Sequence, residues 1–280
     1  MEMLYSAMDT FLPFAWVGHA FMKHAFLAVQ LVMPLFGLLS TMVVSSRMAF
    51  FSDSLGHGAF TGIAIGALLG AVSPMVSLIA FSVVFALFIT YIKNKSTAST
   101  DTIIGVFSST AIAAGLMIMS YGGNFNKFSS YLVGDILSIT SQELGALLIV
   151  CLLVLVVWGL FFNRLLMLSI NPSFARSRGV NCFLTESLFA ATLAVVVSIS
   201  IQWVGILIIN AMLVLPAAAA RNLAVNVKQY HFLSVLIAWI AGISGLILAY
   251  YFNMAAGATI VVISAGIFFL TLLLKPYFVR

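Results

Sequence analysis

The chain has 280 residues, of which 63% are hydrophobic and 7% charged, where a soluble domain carries about a quarter charged. That is too little polar surface for a water-soluble fold. The net charge of +5 is spread in ones to threes between apolar stretches, so it marks no nucleic-acid face.

Apolar runs of about 18–25 residues without strict alternation exclude a β-barrel and predict membrane-spanning helices. Residues 1–22, with Asp9, Pro13, Trp16 and His19, are mixed in polarity and predict an interfacial segment without the basic start and small-residue cleavage site of a removable signal peptide. A single transmembrane domain is expected over 23–280. Its apolar runs lie at 23–46, 48–71, 75–92, 102–120, 143–162, 183–201, 203–220, 231–251 and 256–274. Turn-rich breaks separate them, among them "VSP" at 72–74 and "YGGNFNK" at 121–127. Nine spans result, or eight if "PAAAA" at 216–220 interrupts the seventh.

Threading nine spans puts Arg47, Lys93, Lys95, Arg164, Arg176, Arg178, Arg221, Lys228, Lys275 and Arg280 on one side, and only Lys23 and Lys127 on the other. Basic residues accumulate in cytoplasmic loops. The expectation is an N-terminus outside and a C-terminus inside. The polar, broken segment at 129–143, with Tyr131, Gly134 and Asp135, fits a re-entrant or surface helix on the outer face.

Within the second run, "RMAFFSDSLGHGAF" at 47–60 holds Asp53 and His57, four apart and so on one helical face. With Arg47 at the inner interface, His57 lies roughly 15 Å deep at about 1.5 Å per residue. An ionisable group there costs about 3 kcal/mol on insertion scales. Carboxylate oxygen and imidazole nitrogen suit zinc, manganese or iron; a helix-packing hydrogen bond is the alternative. Gly56, Gly58, Gly62 and Gly66 allow close approach of another backbone under either reading.

The loop at about 163–182 contains Asn171 as a cap, Pro172 at the first helical position and a terminating Gly179. It predicts a short helix on the cytoplasmic face, either a docking element or an ordinary loop helix. Cys151 and Cys182 lack metal-site spacing and fit buried thiols. "GISG" at 242–245 matches the GxSG of rhomboid proteases, yet no histidine follows His231. No HExxH and no GxxxxGK phosphate loop occur, so the chain is not expected to be an enzyme or to hydrolyse nucleotide itself.

Arg47, Met48, Asp53, His57 and Gly62 match R-M-x4-D-x3-H-x4-G, a pattern of the zinc, manganese and iron permeases of ABC importers, which the chain resembles. "YLVGDIL" at 131–137, "NPSFARSRGV" at 171–180 and "WVGILIINAMLVLPAAAAR" at 203–221 resemble further blocks of that family, in order. The resemblance implies an all-α polytopic permease of the inner (cytoplasmic) membrane, similar in fold to vitamin B12 and siderophore permeases. It implies a homodimer, a cytoplasmic ABC ATPase dimer, and an extracytoplasmic metal-binding protein that delivers the ion. The ATPase would dock through Asn171, Pro172, Ser173, Phe174, Ala175, Arg176 and Gly179. The cargo would be zinc or manganese, with iron a third option, passed along Asp53 and His57 by alternating access, with no permanently bound cofactor. Near 253–257 the family carries an acidic residue followed by Pro and Gly. Here the positions are Asn253, Ala255 and Gly257, the first two departing from the family and leaving metal preference open. A siderophore or cobalamin permease would want a wide apolar lumen, which Asp53 and His57 oppose. A secondary carrier would show an internal repeat, often inverted, and none is evident.

Overall fold

A backbone in hydrocarbon must pair its own N–H and C=O groups, which a helix does within one segment. Every regular element among the described residues is accordingly helical. The structure, a computed structural model, describes Tyr5, Met8 and residues 14–70, 74–122 and 134–278. After a 3-10 turn at Ala15–Gly18 come α1 (Ala20–Ser45), α2 (Ala49–Leu69), α3 (Pro74–Lys95) and α4 (Thr100–Gly122). A second 3-10 turn, Ile136–Ser138, precedes α5 (Ser141–Ile170), the short α6 (Pro172–Ser177) and α7 (Cys182–Val204). The chain ends with α8 (Ile206–Arg221), α9 (Val227–Phe252) and α10 (Ala256–Phe278). Asp9, Pro13, Lys127, Tyr131 and Arg280 lie outside the described residues.

Each of the nine expected apolar runs is a helix. Seven are long and apolar enough to cross a membrane on those grounds alone. The other two fall short for different reasons. α2 has the length, 21 residues, but Asp53, His57 and its glycines lower its hydropathy. α8 has 16 residues, about 24 Å against a hydrocarbon core of about 30 Å. "PAAAA" does not interrupt α8, since Pro216 sits inside the helix. The break comes earlier, at Gly205, whose φ of 86° separates α7 from α8. α5 overshoots the apolar run that predicts it, reaching Ile170 over 30 residues, about 45 Å.

The described residues form two compact units, both discontinuous in sequence. One draws on Met1–Thr41, Gly134–Leu153 and Ala211–Arg280, the other on Met42–Val133 and Val154–Asn210. In the first, α9 packs on α10, and Gly245 lets Ile260 approach so closely that a Cβ there would lie 2.6 Å from its Cα. α1 meets α9 through a hydroxyl cluster: Ser234 Oγ donates to the Gly37 carbonyl at 2.6 Å and lies 3.0 Å from Ser40 Oγ. Such interhelical bonds in membranes contribute about 0.6 kcal/mol each on average.

In the second unit, α2 packs on α3, α4 and α7, and α3 packs on α7. Lys93 on α3 forms an ion pair with Glu186 on α7, whose other oxygen accepts from Asn94 Nδ2 at 3.0 Å. This pair is only partly buried and pins the ends of α3 and α7 together.

Candidate metal-transit site

α2 begins after a turn whose pivot is Arg47, and Met48 beside it is buried. Along the first three turns Ser52, Ser54, Leu55 and Ala59 are buried against neighbouring helices. Asp53 and His57 are not: their side chains stay 40% and 24% exposed. Asp53 Oδ2 and His57 Nε2 are 3.5 Å apart, so a carboxylate oxygen and an imidazole nitrogen sit side by side on one helical face. Ionisable groups within a membrane-spanning stretch face a water-filled path or a partner, not lipid tails.

The direction of the pair is set from the adjoining face of α2. Ser52 Oγ donates to Asn210 Oδ1 on α8 at 2.6 Å. One turn on, a Cβ on Gly56 would lie 3.2 Å from Ile206 Cγ2 and 3.6 Å from the Ile206 carbonyl oxygen. α8 therefore seats on residues 52 and 56. Because successive residues are rotated by about 100°, residues 53 and 57 are turned away from that seam. Neither Ser52 nor Asn210 stood out in the sequence. They are 158 positions apart, and each alone is an unremarkable polar residue in an apolar run.

The pair offers one carboxylate and one imidazole. Among the described residues, no cluster of three or more histidine, cysteine, aspartate or glutamate side chains exists. Two ligands from one chain leave a divalent cation short of the four that zinc takes, so water or a second chain must supply the rest.

The other expected site residues lie on other elements. Asn253, in the first unit, ends α9 in the left-handed conformation (φ 53°). Its N–H bonds to the Ala249 carbonyl, and the following Met254 N–H bonds to the same oxygen at 3.0 Å. Asparagine tolerates this backbone better than most residues, so its position has a local reason. Gly134 has φ 71°, and Asp135 is exposed and accepts from Leu137 N–H at 3.0 Å, capping the 3-10 turn that packs on α10. Just beyond, Thr140 N–H donates to Glu143 Oε2 at 2.8 Å and Glu143 N–H to Thr140 Oγ1 at 3.3 Å. That reciprocal capping box starts α5; its T-x-x-E spacing was readable in the sequence.

α6 forms as its residues dictate. Asn171 Oδ1 accepts from Ser173 and Phe174 N–H at 2.9 and 3.1 Å, Pro172 takes the first turn, and Gly179 (φ 75°) closes the end. Within the expected docking set, Ala175 needs correction: it is completely buried, where α6 rests on α7. Its side chain holds α6 to the protein, because a six-residue helix has no room for two buried faces. Ser173, Phe174 and Arg176 point outward, with Phe174 48% exposed and the Arg178 guanidinium 5.3 Å from its ring centre. Cys151 is buried as expected; Cys182 is half-buried at the start of α7.

Against known proteins, the sequence profile described as the ABC 3 transport family matches residues 18–275. The high-affinity zinc uptake system membrane protein ZnuB of Buchnera aphidicola subsp. Baizongia pistaciae is 30% identical over 251 residues, 89% of this chain and 96% of that protein. The manganese import system permease protein ScaB of Streptococcus gordonii is 30% identical over 256 residues, 91% of this chain and 92% of its own length. Among solved structures, PsaBC from Streptococcus pneumoniae in complex with Fab superposes with a TM-score of 0.79 at 27% identity, covering 97% of this chain and 95% of that one.

Proposed function

The chain belongs to the ABC 3 transport family, and on that premise we propose that it takes up zinc or manganese through the helix bearing Asp53 and His57. It is a multi-pass membrane permease, the transport subunit of an ABC importer. Relatives named for zinc and for manganese match it at the same identity, so similarity does not choose between the two metals, and it favours a bare cation over a siderophore or cobalamin.

The observation that carries the reading is the half-open Asp53–His57 pair, turned off the Ser52–Asn210 seam in a stretch, 51–64, whose other residues are all buried. A cation shedding water near the membrane centre needs replacement ligands there. Imidazole supplies a neutral nitrogen, and the carboxylate offsets charge in a low dielectric. A second copy related by a two-fold axis would bring another Asp53 and His57, completing a four-ligand set of nitrogen and oxygen. Delivery by an extracytoplasmic metal-binding protein and ATP hydrolysis on a cytoplasmic ATPase dimer, transmitted through exposed α6, would alternate access. The basic side carrying α6 would face the cytoplasm, with the N-terminus outside.

The test is uptake of radiolabelled zinc and manganese by cells whose own copy is deleted. His57→Ala is expected to lower uptake at least about tenfold, the low end of what disturbing a metal site costs, and Asp53→Asn severely. Uptake at the wild-type rate in both variants would refute the transit role.

A further inference from the structure

Three basic residues that the charge pattern assigns to one side, Arg47, Lys93 and Arg176, line one cavity of about 440 Å³ in the second unit. Pockets for small ligands span about 300–1,000 Å³. Glu186 is the acid in its lining, and Lys93 and Asn94 already engage it. Arg47 and Arg176 have no polar partner among the described residues. Three cations against one acid leave the lining two charges positive.

The backbone singles out Arg47 independently. It closes α1 in the left-handed region (φ 55°), with Met48 N–H reaching back to the Val43 carbonyl at 2.8 Å. The same turn at the ends of α2, α6 and α9 uses Gly70, Gly179 and Asn253, the residue types that bear it easily. An arginine there strains the backbone, and strain that persists points to use of the side chain.

We propose that this cavity binds an anionic phosphate group between the guanidinium forks of Arg47 and Arg176. A guanidinium matches phosphate with paired N–H donors, and Ser45 and Ser46 in the lining add hydroxyls. The phosphate comes from an acidic lipid headgroup or from solution; Leu165, Leu168 and Phe189 give the cavity an apolar wall that would accept the lipid's glycerol end. A bound phosphate would tie the turn leading into the Asp53–His57 helix to α6. That last consequence, unlike the site, rests on the docking role proposed for α6.

Cys182 lines the same cavity as a native thiol, while Cys151 is buried, so alkylation of Cys182 by iodoacetamide reports occupancy without reference to transport. The permease, purified with its ATPase, is placed in phosphatidylcholine nanodiscs. Inorganic phosphate is added in one arm and phosphatidylglycerol is built into the discs in the other. Alkylation is expected to slow in at least one arm; slowing by phosphatidylglycerol alone identifies a lipid, and slowing by phosphate identifies a soluble anion. In Arg47→Gly the concentration giving half-protection should rise at least about tenfold, a charge-assisted pair having been lost. That variant suits the left-handed turn and should fold as well as the parent; Arg176→Gln, at an exposed position, gives an independent second reading. The proposal fails if neither additive slows alkylation, or if protection is unchanged in both variants. It also fails if Cys182 is fully shielded in plain phosphatidylcholine, which would assign the cavity to the ATPase.

Discussion

Gly62 and Gly145 are both helical glycines in apolar sequence, yet their surroundings oppose one another. A Cβ on Gly62 would lie 3.1 Å from Leu78 Cα and 3.2 Å from the Ser77 carbonyl, whereas Gly145 has nothing within 4 Å. Gly62→Ala should therefore force α2 and α3 apart, lowering stability by about 1–3 kcal/mol. Gly145→Ala should be neutral or stabilising by up to about 1 kcal/mol through helix propensity. Thermal denaturation in detergent distinguishes them; equal effects would contradict the packing described. Lys93 and Glu186 make a second case. Removing one partner leaves a charge without its counterion, while replacing both with methionine removes the mismatch. In a double-mutant cycle, Lys93→Met alone should destabilise more than Lys93→Met with Glu186→Met. Asp53 and His57 were legible from sequence because an ionisable residue in an apolar run is conspicuous without knowing any neighbour. The ion pair, the Ser52–Asn210 bond and the fit around Gly62 were not, because each joins residues that only the folded chain brings together.

The helices themselves were legible in existence and order, and their ends only where the chemistry is local. Asn171, Pro172 and Gly179 bracket α6 because caps are made by residues a few positions apart. α5 shows the opposite: its predicted end near residue 162 reflects where apolar sequence stops at Asn163 and Arg164, which marks the edge of lipid and not the end of a hydrogen-bonded helix. Arg164 instead lays its guanidinium 5.3 Å from the Phe161 ring centre, and the helix runs on to Ile170. The burial of Ala175 was likewise unreadable, since a short helix of small and basic residues does not declare which side rests on the protein. Two variants separate its faces. Phe174→Asp should abolish co-purification of the ATPase while leaving folded yield unchanged, because the ring is an exposed anchor. Ala175→Asp should lower folded yield, because it places an unpaired carboxylate in a buried contact. ATPase recovered at wild-type yield with Phe174→Asp would remove α6 from the docking interface.

For the whole molecule, the ten-to-two distribution of basic residues predicts which ends of the helices meet the cytoplasm. The cavity shared by Arg47, Lys93 and Arg176 already gathers three of the ten on one face of a single unit. In a background without Cys151 and Cys182, cysteines at Lys95 and Arg221 should resist a membrane-impermeant reagent added outside intact cells, and a cysteine at Ser138 should react. The reverse pattern would invert the topology. Whether Asp53 and His57 serve the cation and not the fold is decided by Asp53→Leu with His57→Leu, assayed together for folded yield and metal uptake. Apolar replacement of both members of a merely structural pair is neutral or stabilising and leaves function intact. The double variant should insert and fold at normal yield but take up neither zinc nor manganese; normal uptake by that well-folded variant would refute the transit role.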